Sequence, residues 1–282
     1  MLIRLANLIV VVLFLLSYLA DFSIGSERQD VGIYNDTFCE NKGVWRQGLV
    51  AIKAMLKKYG YTYRDIWPEE INNGDILGDS FKILLVPGGW AATYNVNIRP
   101  PGFKNIRAFV GKGGGFLGIC AGAYFACDVI TWRPGPHAFE ETYDYPLNLF
   151  GGTGRGVVPG LKPWTSPTGC GSGIKKGAEM VVIKVDTNLL HVGPNHISML
   201  YYGGPWFTLT PSKKHGKVKT AATYVLPKSK RELPAMIFFP YHKGRVFLSG
   251  VHPEVSFSDC QLHPNPEGWE VMNSIISLLL HR

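Results

Sequence analysis

The 282-residue sequence lacks the patterns that bind metals and nucleotides. It has five cysteines, with no Cys-x-x-Cys pair and no Cys/His cluster at zinc spacing, so we expect no metal site. The glycine-dense residues 151–156 are not followed by the Lys-Ser/Thr of a phosphate-binding loop. We therefore interpret residues 151–156 as an ordinary loop and expect no cofactor. There are also no internal repeats.

Charged residues are scarce, at 18% of the chain, and acidic residues are fewer than basic ones. The 29 Lys and Arg against 21 Asp and Glu give a formal net charge of +8. The basic residues are scattered, with their densest groups at residues 213–219 and 228–231. No nucleic-acid-binding motif accompanies them, so we expect a solvated basic surface and no nucleic-acid partner.

The first residues contain one long apolar run, residues 8–20, interrupted only by Ser17 and preceded by Arg4. Its length suits a signal-peptide core and is short for a membrane span of about 20 residues. We predict that residues 1–25 are a signal peptide, that residues 26–282 form a single domain, and that the protein is secreted or periplasmic. The alternative is an uncleaved anchor at residues 5–20, the one case in which we expect a membrane partner.

An oxidising compartment would agree with the cysteine usage. If Cys120 stays free, the remaining four cysteines could form two disulfides in any of three pairings: Cys39, Cys127, Cys170 and Cys260. The sequence leaves that pairing open, and it leaves the oligomeric state open as well.

Strand and helix patterns alternate through the first half of the chain. Strands are predicted at residues 30–36, 61–66, 81–86 and 116–119, with helices over residues 43–60 and ending near 112. This alternation predicts an α/β fold with a mostly parallel, doubly wound sheet and helices on both faces. Two apolar runs, at residues 235–241 and 244–250, predict a C-terminal β-hairpin. An amphipathic helix is expected to follow at residues 268–282.

The most specific motif is Gly118-Ile119-Cys120-Ala121-Gly122, directly after a buried apolar run. Glycines two positions on either side of a nucleophile are typical of a strand–turn–helix elbow that exposes the nucleophile at the edge of a sheet. The first amides of the following helix then point at the thiol and favour its thiolate form. Cys120 is therefore a candidate nucleophile.

Two further motifs supply what such a nucleophile needs. His252-Pro253-Glu254 follows the predicted hairpin and offers an imidazole to take the thiol proton, with a carboxylate to orient it. Pro87-Gly88-Gly89 ends a core strand, where a glycine amide could stabilise an oxyanion. The aromatic turn at residues 201–207 is either a packed hairpin or one wall of the pocket.

In order and content these motifs resemble the class I glutamine amidotransferase-like superfamily. Residues 86–89, 113–124 and 201–204 are most similar to the N-terminal domain of eukaryotic-type biotin-protein ligases. The resemblance implies a flavodoxin-like sheet and a triad of Cys120, His252 and Glu254. It further implies an oxyanion hole formed by the Gly88 or Gly89 amide and the Ala121 amide. Candidate substrate-binding residues are Tyr124, Tyr201, Gly203 and Gly204.

Two differences from the pattern of these families restrict the activity that we expect. Ala123 and Tyr124 follow the elbow where glutamine-hydrolysing relatives usually carry Gly-His or Gly-Gln. We also expect no ligase catalytic domain, because no chain remains after the triad to form one. The leading hypothesis is an exported cysteine hydrolase that cleaves an amide in a small or peptide-like substrate through an acyl-thioester. The alternative is a non-catalytic module that binds a ligand or partner on the same fold.

Overall fold

The computed structural model describes residues 28–226 and 231–281, so the predicted leader at residues 1–25 lies outside the described residues. The strands are β1 (Gln29–Tyr34), β2 (Tyr63–Ile66), β3 (Phe81–Val86), β4 (Gly115–Ile119), β5 (Cys127–Trp132), β6 (Glu141–Asp144), β7 (Phe150–Gly156), β8 (Ala178–Val185), β9 (His196–Tyr202), β10 (Trp206–Thr208), β11 (Lys219–Tyr224), β12 (Leu233–Tyr241), β13 (Gly244–Ser249), β14 (Val255–Ser258) and β15 (Gln261–Pro264). The helices are α1 (Arg46–Lys58), α2 (Pro68–Asn73), α3 (Ala91–Asn97), α4 (Pro100–Gly111), α5 (Ala121–Ala126), α6 (Thr187–Leu190) and α7 (Pro266–Leu280).

Nine strands form the main sheet, in the order β2-β1-β3-β4-β13-β12-β11-β8-β9. The first five run parallel to one another, and the last four continue the sheet in antiparallel pairs. The predicted flavodoxin-like α/β fold is confirmed, with its parallel half built from the alternating first half of the chain. The hairpin of β12 and β13 is also as predicted, and it joins the two halves of the sheet.

Strand β4 shows how both faces of the parallel half are covered. All five of its residues are buried, which explains its continuous apolar sequence. A Cβ on Gly115 would lie 3.3 Å from Leu279 of α7, whereas one on Gly118 would meet the backbone of α5. Because residues three apart in a strand point to opposite faces, α7 and α5 lie on opposite sides of the sheet.

A second, four-stranded sheet has the order β10-β7-β5-β6. Its strand β7 covers residues 151–156, so the interpretation of this glycine-rich segment as a loop is wrong. Glycine is needed there because the strand runs against packed side chains: a Cβ on Gly156 would lie 2.0 Å from Tyr124 Oη. A strand that packs its backbone directly against neighbours carries no alternating apolar pattern, so this strand could not be predicted from periodicity.

One disulfide is formed, between Cys170 and Cys260, whose Cα atoms are 5.5 Å apart. Cys39, Cys120 and Cys127 are free, so the two disulfides that the sequence allowed are not both present. Cys127 is fully buried at the start of β5, where its Sγ lies 3.3 Å from the carbonyl oxygen of Ala123. Across residues 28–226 and 231–281, no helix is long and apolar enough to cross a membrane.

Candidate active site

Cys120 occupies the sharp turn between β4 and α5, with φ of 50° and ψ of −103°. The turn is possible because its flanking residues lack side chains. A Cβ on Gly118 would lie 2.5 Å from the carbonyl oxygen of Gly122, and one on Gly122 would lie 2.1 Å from that of Val86. The amide of Cys120 donates to the carbonyl oxygen of Ser249 at 2.7 Å, which ties the turn to the end of β13. The sequence therefore forms the predicted elbow.

His252 lies just beyond β13, and its position is fixed on two sides. Its backbone amide donates to Leu200 of β9 at 2.8 Å, and its ring Nδ1 is 2.7 Å from Oε1 of Glu254. The two side chains are only 1% and 0% exposed. The indole of Trp269 donates to the carbonyl oxygen of Glu254 at 2.7 Å, so α7 holds the carboxylate segment in place.

The electrostatics of this pair favour a charged imidazole. Burial by itself lowers the pKa of His252, but the Glu254 carboxylate and then the Cys120 thiol outweigh that effect and raise the pKa to about 10. The other ring nitrogen, Nε2, is buried and has no hydrogen-bond partner among the described residues. A Cβ on Gly88 would lie 2.4 Å from Cε1 of the ring, so glycine at this position makes room for the imidazole.

Two backbone amides at the cavity are available to a ligand. The N–H groups of Gly89 and Ala121 donate no hydrogen bond within residues 28–226 and 231–281. Both residues line the same cavity as Cys120, whereas Gly88 packs beneath His252. Unpaired amides beside a thiol can bind the negative charge that develops on a carbonyl oxygen. Of the two glycines predicted from the sequence, Gly89 is the one that faces the cavity.

The cavity has a volume of about 550 Å³ and extends from Cys120 to β5, β6 and the segment that follows β7. Of the four candidate substrate-binding residues, Tyr124 and Gly203 line it. Tyr201 and Gly204 do not. Tyr201 is buried and its hydroxyl accepts a hydrogen bond from the Val158 amide, and Gly204 packs against the backbone of Gly250. Alternation along β9 turns Tyr202 instead of Tyr201 toward the cavity.

An aromatic wall, composed of Tyr124, Trp132, Trp164 and Tyr202, lines the cavity, and Trp132 and Trp164 were not among the residues predicted from the sequence. Ring centroids are 6.2 Å apart between Tyr124 and Trp132, 5.9 Å between Trp132 and Trp164, and 5.1 Å between Trp164 and Tyr202. These residues come from α5, β5, the segment after β7 and β9. No local pattern connects them, because only the packing of the second sheet against the main sheet brings them together.

Asp36 and Trp45 are two further residues that sequence reasoning missed. Asp36 is fully buried, and its Oδ1 accepts from the amides of Gly43 at 3.0 Å and Val44 at 2.8 Å. This fixes the segment that carries Trp45, whose ring lies 5.0 Å from that of His252 at 84°. An aspartate directly after a buried strand, at the sheet edge where ligands bind, was the available signal for Asp36.

Relatives of this chain were identified by sequence and by structure. It is 30% identical to biotin–protein ligase of Schizosaccharomyces pombe over 177 residues, which are 63% of this chain and 26% of the ligase. It is 27% identical to an uncharacterised protein of Chlamydia muridarum over 186 residues, 65% of this chain and 64% of that protein. The chain thus spans about a quarter of the ligase.

Among solved structures, β-galactosidase from Bacillus circulans aligns with 89% of this chain and 30% of its own, with a TM-score of 0.52 at 11% identity. At that identity the likeness shows a shared fold alone. The family model described as "Biotin-protein ligase, N terminal" matches residues 29–280. Since this match includes nearly every described residue, both sheets and all three chemical motifs, the chain belongs to the biotin-protein ligase N-terminal domain family.

Proposed function

We propose that this protein is an exported, cysteine-dependent hydrolase that cleaves an amide bond in a small or peptide-like substrate. One observation carries the proposal: a thiol on an elbow and two amides that are unpaired among the described residues line one cavity of about 550 Å³, and the buried His252–Glu254 pair interacts with that thiol. Each group matches a role that amide cleavage requires, namely nucleophile, proton carrier and oxyanion stabiliser.

In the first half of the reaction, Cys120 gives its proton to His252 and its sulfur attacks the substrate carbonyl carbon. A C–S bond forms, and the carbonyl oxygen takes the negative charge beside the amides of Gly89 and Ala121. The C–N bond then breaks, and the leaving amine takes the proton from His252. An acyl-thioester and a free amine result. Glu254 keeps the imidazole oriented and stabilises its charged form.

In the second half, water attacks the thioester while His252 accepts a proton from it. The C–S bond breaks, a carboxylic acid is released, and the proton returns to the sulfur of Cys120. The aromatic wall includes Tyr124, whose hydroxyl donates to the carbonyl oxygen of Gly203 at 3.2 Å. Tyr124 follows the elbow at a position where glutamine-hydrolysing relatives usually carry a different residue. We therefore propose that the substrate is an amide other than free glutamine.

Export is supported by two observations. The apolar residues 8–20 have the length of a signal-peptide core. The disulfide between Cys170 and Cys260 belongs to the kind of bond that persists in oxidising compartments.

The test is alkylation of Cys120 by iodoacetamide between pH 5 and pH 9, in a Cys39→Ser background with modification located by mass spectrometry. A charged imidazole beside the thiol favours the thiolate. Wild type should therefore react at pH 6 at least about tenfold faster than His252→Ala. His196→Ala, which removes an exposed histidine, is the control and should match wild type.

Substrate screening follows with amide and peptide libraries. Release of a carboxylic acid and an amine should require Cys120, and His252→Ala should reduce the rate by at least about 100-fold. If alkylation does not depend on His252 and no amide is cleaved, the protein is instead a binding module on the same fold.

A further inference from the structure

We infer that the cavity beside Cys120 selects substrates that carry a positively charged amine or guanidinium group near the amide that is cleaved. This rests on the proposed function, because it names the substrate class of the same site. The inference is carried by three features of the cavity: its perpendicular aromatic rings, a carboxylate set among them, and the sign of the charged residues that line it.

The charges at the cavity have the opposite sign to the protein as a whole. The chain has a formal net charge of +8, yet the charged residues lining the cavity are Glu141 and Asp144, with no lysine, arginine or histidine among the lining residues. Glu140, next in sequence, is 3.6 Å from Arg155. Glu141 forms no ion pair with any basic residue that the structure describes, and it accepts a hydrogen bond from the Tyr143 hydroxyl.

Strand register places this carboxylate beside an aromatic face. In the antiparallel pair of β5 and β6, Trp132 lies opposite Glu141 and Ile130 lies opposite Tyr143. Residues directly opposite in such a pair project to the same face, with Cβ atoms about 4.5–5.5 Å apart. Glu141 therefore stands next to Trp132 on the side of the second sheet that faces the cavity.

The rings themselves form a corner that suits a cation. Tyr124, Trp132 and Trp164 all line the cavity, and Trp132 meets Tyr124 at 81° and Trp164 at 70°. A cation within about 6 Å of a ring centroid is attracted to the electron-rich face. Lys176 already lies 5.8 Å from the centroid of Trp164, but Lys176 does not line the cavity. The faces of these rings and the Glu141 carboxylate together would attract a positively charged group on a substrate. A neutral substrate would not gain this attraction.

The experiment measures the rate at which methanethiosulfonates modify Cys120 in a Cys39→Ser background. The thiolate attacks the reagent's sulfenyl sulfur and methanesulfinate leaves, so no turnover of an amide is needed. The trimethylammonioethyl reagent supplies the cation, and the hydroxyethyl reagent is its neutral counterpart. The cation-to-neutral rate ratio for Cys120 is divided by the same ratio for N-acetylcysteine amide in solution, which removes the intrinsic difference between the two reagents. The result is the corrected ratio.

We expect a corrected ratio of at least about five, as cation–aromatic and carboxylate attraction together provide. Glu141→Gln and Trp132→Leu should each lower it, whereas Glu267→Gln, which removes one exposed carboxylate from the start of α7, should not. A corrected ratio of one or less, or a ratio unchanged in Glu141→Gln, overturns the inference. Glu141 is exposed, so this variant is expected to fold even if Trp132→Leu does not.

The outcome separates this inference from the proposed function. His252→Ala should slow both reagents if His252 activates the thiol, whether or not the cavity prefers a cation. If the corrected ratio is near one but the rates depend on His252, only the cation preference is refuted. If the corrected ratio is high but the rates do not depend on His252, only the proposed catalytic role is refuted.

Discussion

The glycines at the elbow matter mainly because they lack a Cβ atom, which lets neighbouring backbone and side chains approach closely. Gly118 and Gly122 allow the backbones of β3, β4 and α5 to approach one another, and Gly88 leaves room for the imidazole. The strained conformation of Cys120 exists only because these contacts hold it in place. The chemistry of the thiol therefore depends on residues that carry no functional group.

Gly122→Ala tests this dependence. Its Cβ would lie 2.1 Å from the Val86 carbonyl oxygen, and backbone on both sides cannot move freely. We expect the free energy of unfolding to fall by about 1–3 kcal/mol, together with loss of the His252-dependent reactivity of Cys120. Gly171→Ala, whose Cβ meets nothing within 4 Å, should change stability by less than about 0.5 kcal/mol. Equal stability of the two variants, measured by urea unfolding, would contradict the packing argument.

The charge state of His252 gives a pH dependence of stability. Its pKa in the folded protein is raised, so the stabilisation by Glu254 is complete below the unfolded value of about 6.5 and is lost as pH rises toward about 10. Wild type should lose free energy of unfolding across this window. Glu254→Gln should show a flatter profile, because burial without the carboxylate keeps the imidazole neutral.

Urea unfolding at pH 6 and pH 9 measures this difference, with Glu267→Gln as the matched control. The histidine resonances in NMR spectra provide a direct check. If His252 titrates at the same pH in wild type and Glu254→Gln, the charge pair is not the cause of the shift.

At the scale of elements, the cavity depends on segments that belong to neither half of the α/β pattern. Strands β5 and β6 and the segment between β7 and β8 carry Trp132, Glu141 and Trp164. The disulfide joins this last segment, through Cys170, to Cys260 in the turn between β14 and β15. It therefore ties one wall of the cavity to the region that follows His252.

Removing the disulfide with Cys170→Ser/Cys260→Ser should destabilise the protein by about 2–4 kcal/mol, since the bond closes a loop of 90 residues in the unfolded chain. Cys39→Ser, which removes a free thiol, is the control. Urea unfolding of the three proteins measures the effect. Indistinguishable midpoints would show that the bond contributes no stability, and addition of dithiothreitol to wild type should reproduce the loss.

The whole molecule combines a parallel half, which supplies the elbow and the strand before His252, with an antiparallel half and a second sheet, which supply the cavity walls. Cys120, directly after β4, and His252, shortly after β13, come together because these strands are neighbours in the sheet, although 132 positions separate the two residues. The site therefore forms only when the entire domain is folded.

The proposed export concerns the whole chain and predicts a change of mass. Protein recovered from the medium or periplasm should lack residues 1–25, which intact-mass spectrometry detects. Cleavage leaves the formal net charge unchanged, because it removes Arg4 and Asp21 together. Recovery of the full-length chain in a membrane fraction would instead support an uncleaved anchor.

The α/β fold, the elbow and the hairpin before His252 could be predicted from the sequence alone. These features follow from local rules: apolar periodicity, glycine spacing at a turn, and short links between neighbouring strands. Three features became clear only from the folded structure: residues 151–156 form a strand, Cys170 pairs with Cys260, and Tyr202 rather than Tyr201 faces the cavity. It also revealed the aromatic wall and Asp36. Such features arise from contacts between segments distant along the chain, and those contacts leave no periodic pattern in the sequence.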